Sequence, residues 1–353
     1  MREHQSLEGL RELADRDVWD VADRRIKRFL DRALPEGYPP FSFRESLAAP
    51  GCFYSPHARD LSEVDIAFIG VPMDQGAVIR TGARHGPETV RRASRTVGPV
   101  HERTGTIPFE LCRIGDRGEV EFTGYALQRR VEDIRLFYQE VRDAGVTPFG
   151  LGGEHTMTAP ILAALGASRP LALVQIDAHA DSTGQFGGER INDGSLVRFA
   201  AADGFIDPTH TVQVGMRNGS FILWDFSHQS GMTYLTADDV YEAGVDDIVR
   251  VIHEVVGDMS VYLSLDLDAI DPAFMPAVGS PEPFGLTSRQ VRDLIRGLRG
   301  LDLVGADMVE LCPGFDSNGV GENLAAGLAF EILCLLAESH SSRVGETRPT
   351  VWA

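Results

Sequence analysis

From Val64 onward, short runs that are apolar nearly throughout alternate with longer stretches whose apolar residues recur at helical spacing. The apolar runs predict strands at 64–69, 146–151, 171–176, 211–215, 261–265 and 303–309. The helical pattern predicts helices at 86–94, 127–144, 157–165, 196–202, 246–256, 288–298 and 321–339. A strand covered on both faces has no polar side to alternate with, so these runs predict an α/β fold with a parallel sheet sandwiched by helices. Ahead of this region, Leu7, Leu10, Leu13, Val18, Val21, Ile26 and Leu30 lie at helical spacing, and Pro35, Gly37, Pro39 and Pro40 then break the chain. The resulting division is an arm over 1–60, a single domain over 61–342 and a tail over 343–353. The arm reads as a packing or oligomer-contact element.

Composition narrows the partners. The 353 residues carry a formal net charge of −19, with 43% hydrophobic and 24% charged residues. That charge repels nucleic acid and anionic membranes and favours a cationic ligand. Cys52, Cys112, Cys312 and Cys334 form no CxxC pair, which suits free thiols in a reducing compartment. The first residues lack the apolar core of a signal peptide, and no uninterrupted apolar run approaches membrane-spanning length. The expected location is the cytoplasm.

Three polar motifs follow predicted strands, at the carboxyl edge where parallel sheets bind ligands. Asp177-Ala178-His179-Ala180-Asp181 sets three ligand-type side chains at alternate positions, which face the same way while the backbone stays extended. Asp266-Leu267-Asp268 repeats the spacing, and Gly152-Gly153-Glu154-His155 brings a second imidazole. So many carboxylates cannot be packed together without cations to neutralise them. Two divalent ions would do so, and would make water nucleophilic at neutral pH. Oxygen-rich ligation with two imidazoles favours manganese, with nickel, cobalt or iron also suitable, and the lack of thiolates argues against a structural zinc. Asp271, before Pro272, reads as a turn residue.

Gly152–Thr156, Asp177–Asp181 and Ser264–Pro272 resemble the three signature blocks of the ureohydrolases, the arginase and agmatinase family, and the likeness runs from about Val64 to Glu338. The resemblance implies a three-layer α-β-α sandwich with a mainly parallel sheet, assembled as trimers or hexamers, that hydrolyses a guanidino group to urea and an amine. It implies one metal on His155, Asp177, Asp181 and Asp266 and a second on His179, Asp177, Asp266 and Asp268, with Glu282 facing the guanidinium. This chain departs from the family pattern at three places: Asp193 stands where a proton-relaying His is usual, Thr81 where Pro is common, and Phe284 where Gly is common. Asp193 is thereby a candidate acid or partner for a second polar group, Thr81 a candidate hydrogen-bonding contact to a small polar substrate, and Phe284 a candidate contact whose ring would shorten the pocket. These departures resemble the guanidine and alkylguanidine or biguanide (metformin-type) hydrolases, which imply nickel. Agmatinase or guanidinobutyrase is the alternative. A supporting subunit paired with a homologous partner is a further reading, and a single-zinc deacetylase on a related fold is another.

Overall fold

The computed structural model describes residues 6–15, 23–24, 27, 51–185, 190–219 and 221–345. The chain divides into two compact units, 1–49 and 50–353. In the smaller one, helix α1 (Leu7–Ala14) starts at Ser6, whose hydroxyl accepts from the Gly9 N–H at 3.1 Å. Leu7, Leu10 and Leu13 form an exposed apolar stripe along α1. Most of the rest of the predicted arm helix, and the proline-rich break, lie outside the described residues.

The larger unit begins at residue 50 rather than at the boundary expected near 60. The reason is packing. Cys52 and Phe53 are buried, the Cys52 N–H donates to Asp116 at 3.0 Å, and the Phe53 ring lies 5.7 Å from Phe68 and 5.4 Å from Phe330.

Eight parallel strands form one sheet in the order β2-β1-β3-β8-β7-β4-β5-β6. They are β1 (Ile66–Val71), β2 (Ile114–Glu119), β3 (Thr147–Gly152), β4 (Leu171–Ile176), β5 (Ile206–Met216), β6 (Thr233–Thr236), β7 (Ser260–Asp266) and β8 (Asp302–Val309). The six strands expected from apolar runs are all present. The other two, β2 and β6, are the two edges, where partial exposure permits Arg117 and Glu119 in one and Thr233 and Thr236 in the other, while the buried Asp116 pairs with Arg91 at 2.7 Å.

Successive strand side chains point to opposite faces, each with its own core. Ile66, Phe68, Ala172, Val174 and Ile176 pack on one side with α2 (Gly86–Ser94), α8 (Ala237–Ala243), α9 (Val245–Val256), α10 (Ser288–Gly297) and α11 (Val320–Arg343). Ala67, Ile69, Val71 and Leu173 pack on the other with α4 (Leu127–Asp143), α5 (Thr158–Leu165) and α6 (Leu196–Ala202). Two further helices, α3 (Pro108–Leu111) and α7 (Phe221–Ser230), complete the described set. The result is the expected three-layer sandwich. Helix α11 is long and apolar enough to cross a membrane, with a mean hydropathy of 1.6, but 72% of that stretch is buried inside the protein. All four cysteines are free thiols.

Candidate metal centre

The site forms where β3, β8, β7 and β4, adjacent in the middle of the sheet, release their chains. After β3, Gly153 runs so close to β1 that a Cβ would lie 2.3 Å from the Met73 carbonyl oxygen and 2.5 Å from that of Val71. Any side chain there would push the turn away from the sheet. Glu154 then caps a short turn, accepting from the Thr156 N–H at 2.8 Å and the Gly76 N–H at 3.1 Å. This brings the His155 imidazole, 1% exposed, over the ends of the central strands.

The far nitrogen of that ring is anchored. His155 Nε2 lies 2.8 Å from Ser264 Oγ, and the Ser264 hydroxyl donates to Asp307 Oδ1 at 2.7 Å. Asp307 Oδ2 also accepts from Thr158 Oγ1 at 2.6 Å and Tyr262 OH at 2.8 Å. Because Ser264 directs its proton to Asp307, its oxygen accepts from His155 Nε2–H, and Nδ1 carries the lone pair. That Nδ1 is buried without a hydrogen-bond partner, 2.8 Å from Asp181 Oδ2 and 3.2 Å from the Oδ2 atoms of both Asp177 and Asp266. A lone pair ringed by carboxylates is repulsive unless a proton or a cation sits among them.

A second cluster shares one member with the first. His179 Nδ1 is 3.0 Å from Asp268 Oδ2 and 3.6 Å from Asp177 Oδ1, so the two oxygens of Asp177 face different imidazoles. In each of the sets His155–Asp177–Asp266 and Asp177–His179–Asp268, one donor atom per residue lies within 4.8 Å of the others. Gln175 Nε2 donates to Asp177 Oδ2 at 2.6 Å, and Gln213 Nε2 donates to Gln175 Oε1 at 2.6 Å, which holds the shared carboxylate in place.

Simple alternation does not produce this arrangement. β4 ends at Ile176, and Asp181 takes a left-handed φ of 46°, which folds it back to the His155 cluster. Asp266 and Asp268 also part company. Asp266 caps the turn Leu267–Ala269, accepting from the Asp268 N–H at 2.8 Å, and Asp268 goes to His179.

The electrostatics agree with a cation site. Burial, then the charge of Asp177, pushes Asp181 up to about 7. Burial, with Asp268 and Asp177 close by, raises Asp266 well above the usual carboxylate range. Asp177 goes the other way: burial opposes its ionisation, but His155 and His179 hold it below its ordinary value.

The clusters open into a cavity of about 470 Å³. Glu282 and Asp193 line it, as does Glu310, which went unnoticed in the sequence. Glu282 Oε1 lies 3.4 Å from His179 Nε2, so its geometry suits orienting that ring. Glu310 is the more deeply buried of the two glutamates. Its Oε1 accepts from the His155 N–H at 2.9 Å, and its φ of 66° is a strained setting for a side chain of this kind, of the sort that clusters at functional sites. Burial, with Glu154 and Asp193 nearby, keeps the Glu310 carboxyl well above its ordinary value. The cue in the sequence was its place just past β8, beside the motifs already recognised.

Asp193 Oδ2 accepts from the Val78 N–H at 2.9 Å, and burial raises its carboxyl. Thr81 and Phe284 are not among the cavity-lining residues. Thr81 is exposed outside the cavity wall, and Phe284, at a φ of 62°, is 83% exposed, so its ring does not shorten the pocket as expected. Asp271 is the turn residue it was read to be, accepting from the N–H groups of Ala273 and Gly285, each at 2.9 Å.

Arg217 holds the Glu282 loop. Its five N–H groups reach five carbonyl oxygens: Pro283 at 3.0 Å, Glu282 at 2.8 Å, Asp268 at 2.7 Å, and Ala269 and Gly215 at 3.1 Å. A guanidinium can satisfy such a set and an ammonium cannot.

Two histidine-carboxylate clusters sharing an aspartate, at the carboxyl edge of a parallel sheet, define a metal-dependent hydrolase site. The chain belongs to the arginase family, whose model matches residues 64–335. It is 41% identical over 287 residues to the guanidinopropionase of Pseudomonas aeruginosa, a match covering 80% of this chain and 90% of that protein. It is 38% identical over 276 residues to the human mitochondrial guanidino acid hydrolase, covering 77% and 78% respectively. Among solved structures, proclavaminate amidino hydrolase from Streptomyces clavuligerus matches with a TM-score of 0.80 and 32% identity, covering 86% of this chain and 100% of that one. The chain is therefore a hydrolase of C–N bonds in guanidino compounds. Relatives of this kind, an agmatinase of Citrobacter koseri at 35% identity (78% of this chain, 89% of that one) among them, favour the agmatinase or guanidinobutyrase reading over the guanidine- or metformin-type one. Nickel loses the support of that branch, while the donors themselves suit nickel as well as manganese.

Proposed function

We propose that this chain hydrolyses a linear guanidino compound to urea and an amine at a binuclear centre held by His155, Asp177, His179, Asp181, Asp266 and Asp268. The observation that carries it is the unpartnered His155 Nδ1 facing three carboxylates, beside a second cluster that shares Asp177. The donor set fits two divalent ions, and six carboxylate or imidazole residues of the hard and borderline kinds suit manganese. When bound, the ions supply the positive charge that neutralises the cage and makes water nucleophilic at neutral pH.

The chain's own groups do the rest. Glu310, fixed through one oxygen, offers its other oxygen to the guanidinium N–H groups and sets the central carbon over the cage. Glu282 keeps His179 in the tautomer that presents Nδ1 inward. Asp193, an ionised carboxylate at rest whose proton affinity burial raises, takes the proton that the attacking water gives up and passes it to the departing amine nitrogen. Guanidinium cation plus water becomes urea plus alkylammonium, and both charge and atoms balance. The proposed assembly is the trimer or hexamer that the family resemblance implies, which the mass of the purified protein in solution checks.

The test is elemental analysis of the purified chain together with urea release from agmatine, 4-guanidinobutyrate, 3-guanidinopropionate and arginine. Two divalent ions per chain and urea from at least one of the first three are expected. Fully loaded protein that releases urea from none of the four sinks the proposal.

A further inference from the structure

The charge lining the cavity says what kind of substrate tail it can accept. Four aspartates, Asp177, Asp181, Asp266 and Asp268, belong to the cage, and two divalent ions would neutralise them. Three carboxylates then remain on the wall: Asp193, Glu282 and Glu310. None of the described lining residues is a lysine or an arginine. Residues 186–189 are Phe-Gly-Gly-Glu and residue 220 is Ser, so these add no cation by sequence.

The described arginines on neighbouring segments are committed elsewhere. Arg80 donates to the carbonyls of Gly279 and Val278, each at 2.9 Å, with its guanidinium 4.1 Å from the centre of the Phe315 ring. Arg84 faces Asp74 at 3.4 Å. Arg190 pairs with Asp203 at 2.5 Å and stacks 4.3 Å over Phe199. Arg198 donates to the Ser182 carbonyl at 2.7 Å and lies 4.6 Å over Phe226. Arg217 spends all five donors on backbone carbonyls. Among the described residues, no guanidinium is left on these segments to meet a carboxylate in the cavity.

From this we infer that the substrate's tail is positively charged or neutral rather than a carboxylate, and that Asp193 is the residue that enforces the choice. The inference rests on the hydrolysis proposed above. Glu310 is engaged with the His155 N–H and Glu282 with His179, both beside the cage. Asp193 instead accepts from the Val78 N–H, and the exposed Val78 and Ile79 line the cavity with it. An ammonium or hydrogen-bond donor on the tail gains a partner there. A carboxylate meets a like charge in a partly desolvated wall, with no compensating cation.

The experiment uses the full-length, metal-loaded protein and three guanidines with similar tails: agmatine (positive), n-butylguanidine (neutral) and 4-guanidinobutyrate (negative). Affinity by calorimetry and kcat/KM for urea release are both read. Agmatine and butylguanidine should bind at least about tenfold more tightly than 4-guanidinobutyrate, since unpaired like charges cost one or more factors of ten. In Asp193→Asn that gap should narrow by about tenfold, in affinity and in the ratio of kcat/KM values. Any loss of proton delivery affects all three substrates alike and cancels in the ratio. A wild-type preference for 4-guanidinobutyrate overturns the inference, as does an unchanged ratio in Asp193→Asn, or failure of both agmatine and butylguanidine to bind. If the variant does not fold, the wild-type order decides alone, with Asp193→Ser as the second variant. The two ideas fail differently: the expected binding order without urea defeats the hydrolysis, whereas urea with the reverse order defeats the charge selection.

Discussion

The two halves of the cage are built differently. The His155 half is dry: the ring is 1% exposed, its far nitrogen is held by Ser264, and Ser264 is held by an Asp307 that three hydroxyls satisfy. The His179 half is open. Its ring is 28% exposed on the side chain, and its far nitrogen faces Glu282 across a longer 3.4 Å contact, from a loop whose backbone is pinned by Arg217. The inner half draws its order from strands β7 and β8, and the outer half from a loop that also walls the cavity. An ion in the inner half is held by groups that have nowhere else to go, and an ion in the outer half is next to substrate and solvent. The contrast teaches that one donor list can describe two sites of unequal rigidity.

The largest expected effect comes from removing what the halves share. Asp177→Asn takes a ligand from both clusters, so elemental analysis should find neither ion retained and urea release should fall to background. Retention of one full ion would show that the halves are independent.

The contrast itself is tested by a pair of variants. Asp307→Asn removes the anchor behind Ser264 and should weaken the inner ion by about 10–100-fold, the usual result of losing such outer partners of a metal-bound histidine. Glu282→Gln should weaken the outer ion by about tenfold at most, because Gln can still accept from His179 Nε2–H. Chelator titration with metal readout checks both. Equal losses in the two variants would erase the distinction drawn here.

The smallest effect is one of pH on the metal-free protein. Asp181 and Asp266 sit above their ordinary values, so the folded state holds protons that the unfolded state has lost, and their contribution to stability falls as pH rises from about 4 through about 7. His155 and His179 are also raised, against burial, by the surrounding carboxylates, and the stability they add is lost as pH climbs through their folded values. All four changes share a sign. The Tm of chelated protein should drop by several degrees between pH 5 and pH 8, and that of loaded protein by less, because the ions replace the protons. A metal-free Tm that rises over this range would contradict the assignment.

The six interior strands were legible because burial on both faces leaves an uninterrupted apolar run. The edges β2 and β6 were not, because Arg117, Glu119, Thr233 and Thr236 are tolerated where one side meets solvent. The ligand set was legible because its motifs are short. Glu310, Asp307 and Arg217 were harder to find. Glu310 reaches a histidine 155 residues away, and Arg217 binds carbonyls more than 50 residues downstream, pairings that no local spacing announces. Phe284 and Thr81 show the converse error, since a residue two positions from a cavity-lining glutamate can turn wholly to solvent when its φ is positive.

By itself, then, the sequence determined the class of fold and the chemistry of the donors, because both depend on residue type at short spacing: apolar runs for buried strands, and alternating Asp and His at their ends. Only the tertiary structure decided which donors share an ion, which histidine is dry and which is open, and where the uncompensated carboxylates lie. Those are distances between segments far apart in the chain. They are fixed by the order in which β3, β8, β7 and β4 assemble side by side, and no reading along the chain contains that order.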